Sequence, residues 1–368
     1  MSRTLNELLN LYNAQAPLAE AFTIPAPWYL EAGIEQAERE QVFGGNWIAV
    51  GRLDQVMAEG QFFTVEIAGE PLVVVRGWDG ELRGFYNVCR HHAAAVANVP
   101  CGTVQHLRCP YHGWTYGLDG SLKGAPEFAG VCNFERGANG LVAVRVAAWE
   151  QFVFVTLDAD APDLKASLAD LPVRVAPLEL GKLQFFARKT YTLACNWKVY
   201  VDNYLDGGYH VPHLHKGLNS VLDYKEYTIE NSERFSLQSS PVVSSQEHES
   251  FAATRTGDRA YYYWLYPNFM INIYQGVMDT NLVLPLGIDR CMVQFDFYFA
   301  DVSEAARESN AASVKVSDRI QDEDVEICES VQRGLRSRAY RAGRLSVRRE
   351  GGEHLFHRLL AEDLRRAV

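Results

Sequence analysis

The spacing of apolar and polar residues changes along the chain, and the change predicts where helices and strands lie. In the first 40 residues, Leu5, Leu8 and Tyr12 recur at the spacing of one helical face, so a helical lead-in is expected. From Trp47 the apolar residues instead form short runs between glycine-rich turns, with a hairpin turn at 77–80, which is typical of β-strands. The sequence therefore predicts a small all-β domain over residues 41–157.

A second β pattern follows a linker that begins at Ala161. Several apolar runs are predicted to pair as one antiparallel sheet. These predicted strands are 185–191, 226–229, 235–238, 260–265, 270–274, 280–286 and 291–299. An irregular helical stretch, 196–215, interrupts the sheet, and a long helix of about 304–334 follows it. The chain is thus predicted to be α+β, with a second domain over 158–368 on which the helical segment 1–40 packs.

Composition narrows the class of protein. The 368 residues are 48% hydrophobic and 22% charged, so two domains can each bury a core. No apolar run is long enough for a transmembrane helix or a signal peptide, and seven cysteines without a regular framework fit a reducing compartment. A cytoplasmic protein is therefore expected. The net charge of -11 disfavours nucleic acid and anionic membranes as partners. It also suits a cationic substrate, although an ordinary solvated acidic surface is the preferred explanation.

Two Cys-His pairs offer ligands for a metal centre. They are Cys89-x-His91 and Cys109-x-x-His112, with 17 residues between them. Zinc would take all four side chains on one ion, whereas a Rieske [2Fe–2S] cluster would place the two cysteines on one iron and the two histidines on the other. The one-residue gap of the first pair favours the cluster, because paired zinc ligands usually lie about two to four residues apart. Cys101 lies outside the pattern and is predicted to be a small buried side chain.

A second group of histidines lies in the irregular helical stretch. His210, His213 and His215 fall within six residues. Two histidines and one carboxylate form the facial triad of non-haem iron(II) oxygenases. Helical spacing favours His210 with His213, but Pro212 cannot sit in a regular helix interior, so this argument leaves His215 open as the alternative.

The carboxylate is sought on the long predicted helix. Ile320, Ile327, Val331 and Leu335 form one apolar stripe, and Asp324 falls in its middle at 100° per residue. A carboxylate on a core-facing stripe is costly unless it is paired or binds a metal. Asp324 is therefore the predicted third ligand.

Both motifs, in this order, resemble those of the catalytic (α) subunits of Rieske non-haem iron oxygenases. The resemblance covers nearly the whole chain and is carried by CRHHA, CPYHGWTY, CNWKVYVDNYLDGGYHVP, YPNFMIN, MDTNLVLPLG and ICESVQRGL. Within the family these segments are most similar to the choline monooxygenase group of quaternary-ammonium oxygenases. The resemblance implies a Rieske β domain, a helix-grip catalytic domain and a head-to-tail homotrimer. It also implies that His210 and His215 bind the mononuclear iron, since the family separates these ligands by four residues.

The resemblance further implies that electrons pass from the cluster of one subunit to the iron of its neighbour. In the family a carboxylate bridges the two centres, which here corresponds to a link between His112 and His210. Ring-hydroxylating members carry that carboxylate three residues before the first histidine, where this chain has a glycine. Asp206 is the candidate bridge and Asp202 the alternative. Asn203 matches an asparagine that lies near the iron in family members.

The implied activity is hydroxylation of a small substrate with O2, as a monooxygenase or dioxygenase. No flavin or nicotinamide motif is found, so a separate ferredoxin or flavin reductase is expected to deliver electrons. The expected substrate is a quaternary or methylated ammonium compound held by aromatic rings. About half of the available rings are expected to face the pocket: Tyr261, Tyr262, Tyr263, Trp264, Tyr266, Phe269 and Tyr274. The alternatives are a ring-hydroxylating oxygenase acting on an aromatic acid or another aromatic compound, a Rieske electron carrier without oxygenase activity, and a zinc-stabilised binding protein.

Overall fold

The computed structural model describes residues 3–243, 251 and 253–368. The chain divides into two compact units. One unit is Arg39–Ser167, and the other combines Met1–Glu38 with Leu168–Val368. The domain boundaries predicted from the sequence, at 40/41 and 157/158, stay a prediction.

The first unit is built from antiparallel strands. They are β1 (Ile48–Arg52), β2 (Gln61–Ile67), β3 (Glu70–Arg76), β4 (Leu82–Tyr86), β5 (Cys101–Thr103), β6 (Leu107–Arg108), β7 (Thr115–Tyr116), β8 (Leu122–Gly124), β9 (Ala143–Trp149) and β10 (Phe152–Thr156). One sheet has the order β1-β10-β9-β4-β3-β2-β5, and β6, β7 and β8 form a three-stranded sheet. The predicted hairpin between β3 and β4 is confirmed, since Gly80 has φ +77° and Gly77 donates to the Glu81 carbonyl. Cys101 was predicted to be buried, which is wrong: it is exposed, because β5 is an edge strand.

The second unit contains the predicted antiparallel sheet. Its strands are β11 (Gln184–Leu193), β12 (Thr228–Asn231), β13 (Phe235–Pro241), β14 (Arg259–Leu265), β15 (Phe269–Tyr274), β16 (Val277–Gly287) and β17 (Arg290–Phe299). Their order is β11-β17-β16-β15-β14-β13-β12, so the first strand pairs with the last. β12 begins two residues later than predicted, because Tyr224–Glu226 form a 3-10 turn that is capped by Asp223.

The helices of the described residues are α1 (Leu5–Leu9), α2 (Pro27–Leu30), α3 (Ala32–Ala37), α4 (Leu164–Ser167), α5 (Leu171–Val175), α6 (Trp197–Leu205), α7 (Val211–Leu214), α8 (Lys216–Asn219), α9 (Arg307–Leu335) and α10 (Gly351–Leu364), and a π-helical turn, Glu38–Phe43, follows α3. Of these helices, only α4 belongs to the first unit. α6 and α7 are separated by Gly207 and Gly208, whose φ angles are +69° and +66°. Pro212 lies in the first turn of α7, where a missing N–H costs nothing. No helix in the described ranges is long and apolar enough to cross a bilayer.

The buried face of α9 differs from the predicted apolar stripe. Ile327 and Val331 are 38% and 44% exposed, so they do not belong to a buried stripe. The buried face is instead mixed in polarity and carries Ser317, Gln321, Asp324, Cys328 and Gln332. Polar side chains can be buried on this face because α6 supplies hydrogen-bond partners for them. For example, the Tyr200 hydroxyl donates to Gln321 Oε1 at 2.7 Å. The premise about the stripe is wrong, although Asp324 does face inward.

Candidate metal centres and substrate pocket

The two Cys-His loops have the same backbone conformation. In each loop the cysteine N–H donates to the carbonyl five residues later, at 2.8 Å for both Cys89 and Cys109. The residue four positions after each cysteine donates back to the cysteine carbonyl and has a positive φ, +61° at Ala93 and +72° at Gly113. The repeated turn brings each cysteine and its following histidine onto one short loop.

The side chains of these loops fit a two-iron cluster. Cys89 and Cys109 are buried in one hydrophobic cluster, while the rings of His91 and His112 meet edge to face with centroids 4.7 Å apart. His91 stacks on Trp114, and its buried Nδ1 has no hydrogen-bond partner among the residues that the structure describes. An orphaned imidazole nitrogen next to a second imidazole is the expected state of an atom that ligates a metal.

The second candidate site lies where α6, α7 and α9 meet. One ligand atom from each of His210, His215 and Asp324 falls within 4.8 Å of the others. His215 is only 2% exposed, whereas His213 points to solvent. Of the two histidines left open by helical spacing, His215 is therefore the one brought to His210 and Asp324.

Side-chain hydrogen bonds hold two of these groups in place. Asn203 donates to Asp324 Oδ1 at 2.8 Å, and that oxygen lies 3.1 Å from His215 Nε2. His215 Nδ1 contacts Glu323 Oε2 at 2.5 Å. Burial lowers the pKa of His215, but Asp324 and Glu323 outweigh burial and raise it. Because Glu323 occupies Nδ1, it directs Nε2 toward the position that a metal would take.

The two carboxylates considered as the bridge have different partners. Asp206 Oδ2 contacts His210 Nδ1 at 2.6 Å and accepts the His210 backbone N–H at 2.9 Å. Asp202 instead contacts His357 Nε2 at 3.0 Å and accepts the Tyr29 hydroxyl at 2.5 Å. Asp206 is therefore in direct contact with the candidate iron ligand, and Asp202 is not.

A cavity of about 790 Å³, measured with its open mouth, borders the three candidate ligands. Its aromatic lining is Tyr200, Tyr204, Tyr227, Tyr262, Tyr274 and Phe295. Of the aromatic run proposed from the sequence, only Tyr262 and Tyr274 reach this lining. The others pack elsewhere, because alternate strand residues point to opposite faces and Trp264 and Phe269 lie in the core. Tyr200 and Tyr204 were missed, although their i,i+4 spacing on α6 flanks Asn203 and was a usable signal.

Two buried charged residues of the cavity were also missed. Arg255 is 3% exposed and Asp279 is 5% exposed. Arg255 precedes β14 and Asp279 lies on β16, and no local pattern distinguishes either residue from an ordinary surface charge. The tertiary fold alone brings both residues to the same cavity.

Comparison with known proteins matches two separate parts of the chain to domain families. Residues 180–365 match the ring hydroxylating alpha subunit (catalytic domain) family, and residues 46–135 match the Rieske [2Fe-2S] domain. The Rieske match removes the zinc alternative, and the catalytic-domain match removes the simple electron carrier.

Curated relatives agree over nearly the full length. The chain is 42% identical to the chloroplastic choline monooxygenase of Arabidopsis thaliana, over 98% of this chain and 87% of the relative. It is 34% identical to the carnitine monooxygenase oxygenase subunit of Escherichia coli (strain K12), over 93% of this chain and 94% of that protein.

Solved structures share the fold. The quaternary ammonium Rieske monooxygenase CntA in complex with L-carnitine has a TM-score of 0.83 and 27% identity, over 93% of this chain and 96% of that chain. Naphthalene 1,2-dioxygenase from Rhodococcus sp. has a TM-score of 0.77 at 21% identity, over 98% and 97% of the two chains, which shows the common fold alone. The chain belongs to the Rieske non-haem iron oxygenases, oxidoreductases that carry a Rieske [2Fe–2S] cluster and a mononuclear iron and require O2 and an electron donor.

Proposed function

We propose that the protein hydroxylates a small quaternary or methylated ammonium compound on a carbon next to nitrogen. The observation that carries this proposal is the cavity beside His210, His215 and Asp324, whose wall combines tyrosine rings with the buried carboxylate of Asp279. Aromatic faces attract a cation that has no N–H donor, by roughly 0.5–2 kcal/mol for each contact. The named substrates of the choline and carnitine relatives belong to the same chemical class.

The metal ligands that we propose follow from the geometry of the loops and helices. Cys89 and Cys109 would bind one iron of the cluster and His91 and His112 the other, while His210, His215 and Asp324 would bind the mononuclear iron. When bound, the cluster supplies electrons singly and the mononuclear iron supplies O2 activation. The overall reaction consumes one C–H bond, O2, two electrons and two protons, and gives one C–OH group and water.

Other side chains position these ligands. Asn203 orients Asp324, and Glu323 fixes the tautomer of His215 through Nδ1. Asp206 holds His210 in the same way and is proposed as the bridge to a Rieske histidine of a neighbouring subunit in a homotrimer. We propose a ferredoxin or flavin reductase as the electron donor, as the family requires a donor. We propose the cytoplasm as the compartment, because none of the seven cysteines forms a disulfide.

The expected product follows from the site of hydroxylation. A hydroxyl on a methyl carbon next to nitrogen gives a hemiaminal, which collapses to the demethylated amine and formaldehyde. The alcohol carbon of choline is not bonded to nitrogen, so an aldehyde hydrate formed from choline would instead mean attack at that carbon. Mass analysis of the product therefore distinguishes the position of attack.

One observation favours a second candidate, an aromatic acid. Arg255 in the lining could bind a carboxylate, and the tyrosines could pack on an aromatic ring. Asp279 disfavours this candidate, because a buried carboxylate repels an anion that has no positive charge of its own.

The test is aerobic turnover with a surrogate reductase, comparing choline, betaines and aromatic acids. Substrate-dependent NADH and O2 consumption, with stoichiometric hydroxylated or demethylated product from an ammonium compound, is expected. Coupled turnover of an aromatic acid alone would overturn the substrate class and leave the oxygenase assignment intact.

A further inference from the structure

Among the described residues, no anionic side chain contacts the buried guanidinium of Arg255. It donates to the hydroxyls of Ser313 and Ser317 at 2.8 and 2.6 Å and to the Thr254 carbonyl at 3.3 Å. It also lies 5.0 Å from the ring centroid of Tyr274. Within residues 3–243, 251 and 253–368, no carboxylate oxygen comes within 4.0 Å of it. All of its contacts among the described residues are therefore to neutral groups.

A buried charge that meets only neutral partners costs several kcal/mol, and an opposite charge reduces that cost. The guanidinium has more N–H donors than its three hydrogen bonds use, and its planar fork matches a carboxylate. Because Arg255 lines the cavity, the missing anion can come from a bound ligand.

The same cavity also contains a buried negative side chain, Asp279, which forms no ion pair among the described residues. Asp279 is buried and accepts a hydrogen bond from the Asn272 side chain at 2.7 Å, while Asn272 is itself held by Tyr204 and Asn281. No Lys or Arg nitrogen of the described residues lies within 4.0 Å of its carboxylate. Burial raises the pKa of Asp279, and Arg255 and Asn272 oppose that change. A cation in the cavity would further favour the ionised carboxylate.

In addition to the candidate iron ligands, the lining contains one positive and one negative side chain, and neither forms an ion pair within 4.0 Å among the described residues. We infer that Arg255 and Asp279 determine specificity for a zwitterion, with the ammonium near Asp279 and the tyrosine rings and the carboxylate on Arg255. This inference rests on the proposed function and narrows its substrate to trimethylammonio-carboxylates. Choline would leave Arg255 unpaired and add a second positive charge, and an aromatic acid would leave Asp279 unpaired.

The test compares trimethylammonio-carboxylates that have one to three methylenes with their primary amides. Each amide keeps the ammonium group and the size of the acid but removes its negative charge. With the holoenzyme and a surrogate reductase, kcat/KM is expected to be at least about 30-fold higher for the preferred acid than for its amide, because one partner of a buried charge pair is lost in the amide. Arg255→Gln should remove this preference, because kcat/KM should fall much further for the acid than for the amide.

The matched control is Arg259→Gln. Arg259 lies on β14, donates to the Ser239 hydroxyl at 2.9 Å and is not part of the cavity lining. This variant should keep the wild-type preference for the acid. If Arg255→Gln does not fold, Arg255→Lys retains the charge and should keep a preference for the acid.

Calorimetric binding to the oxidised holoenzyme supplies a readout besides turnover. The acid should bind more tightly than its amide to the wild type, and Asp279→Asn should weaken the binding of both. Equal use of acid and amide by the wild type, or equal losses for both in Arg255→Gln, would overturn the inference while ammonium turnover still supports the proposed function. Turnover of aromatic acids alone, with no ammonium compound accepted, would instead remove the proposed function itself.

Discussion

At the scale of single residues, Asp324 combines burial with contacts that suit a metal ligand. It lies on the inner face of α9, beside His215 and under the Asn203 amide. Asp322, two residues earlier on the same helix, is exposed. These two carboxylates have the same chemistry and differ in the direction of their side chains, so they form a matched pair for testing the mononuclear site.

Asp324→Ala should empty the mononuclear iron site and abolish turnover, because only two proposed protein ligands remain. The visible spectrum of the Rieske cluster should be unchanged. Asp322→Ala should keep both metal centres and near wild-type activity. Iron and sulfide analysis checks this result, and equal iron contents in the two variants would mean that the assignment of Asp324 is wrong.

Ala93 occupies a backbone conformation that favours glycine. Its φ of +61° corresponds to +72° at Gly113 in the second loop. A non-glycine residue in this region costs about 1–2 kcal/mol, so Ala93→Gly should raise the free energy of unfolding by roughly 1 kcal/mol. Gly113→Ala should lower the free energy of unfolding by a similar amount. Ala94→Gly, next to the strained position, serves as the control, since added flexibility there should destabilise the protein by roughly 0.5–1 kcal/mol. Denaturant unfolding of the cluster-loaded protein measures all three, and a stabilised Ala94→Gly would contradict the explanation.

At the scale of elements, the sheet of the second unit was predictable because its strands carry local apolar runs between turn residues. All seven predicted strands are present, and only β12 is displaced. α10 was not predicted, because its buried face includes the polar residues Glu353, His354 and His357. These residues interrupt the helical spacing of apolar residues by which a helix is recognised in a sequence. The position of Asp324 was predicted for a partly wrong reason, since the face around it is polar.

The contacts that position the candidate iron ligands could not be predicted from the sequence, because they join residues far apart in the chain. Glu323 reaches His215 across 108 positions of the chain, and Asn203 reaches Asp324 across 121. Such pairs depend on how α6 and α9 pack, and neither residue is unusual in its local context. The family resemblance supplied the role of Asn203, whereas nothing in the sequence singled out Glu323.

α6 is tied to the N-terminal helices by a buried ion pair. Lys198 contacts Glu38, which also accepts the Trp197 indole N–H at 2.9 Å, and all three side chains are buried. Burial lowers the pKa of Lys198 and raises that of Glu38, while each partner opposes the change in the other. Because α6 carries Asn203, this pair connects helix packing to the iron site.

Glu38→Gln should therefore destabilise the fold by about 3–5 kcal/mol, since it leaves the Lys198 ammonium buried without a counter-charge. The combined change Glu38→Gln with Lys198→Met should be less damaging than the single change. Glu362→Gln, which breaks an exposed contact to Arg366, is the control and should change stability by less than about 1 kcal/mol. Urea unfolding checks the series, and a single variant as stable as the control would contradict the role of the pair.

At the scale of the whole molecule, the two proposed metal centres lie in different units of the fold. The first unit holds the Cys-His loops, and the second holds the candidate iron site and its cavity. Asp206 is the proposed chemical link between the two centres, because its carboxylate contacts His210 and can accept a further hydrogen bond from a histidine of another subunit. The proposed homotrimer requires that this second histidine belongs to a neighbour.

Complementation between inactive subunits tests that requirement. Cys89→Ser should lack the cluster but keep the mononuclear iron, because a hydroxyl replaces thiolate poorly, and Asp324→Ala should keep the cluster but lack the iron. Each variant alone should be inactive. Co-expressed in equal amounts, they should regain up to about one quarter of the wild-type turnover per subunit, since in a random head-to-tail ring about one directed interface in four joins an intact cluster to an intact iron site. Adding Asp206→Asn to the Cys89→Ser subunit should remove most of the regained activity, whereas adding it to the Asp324→Ala subunit should not. If electrons stayed within one chain, no mixture would be active, because no subunit would hold both centres; an inactive mixture with both metals loaded and oligomers formed would therefore refute transfer between subunits.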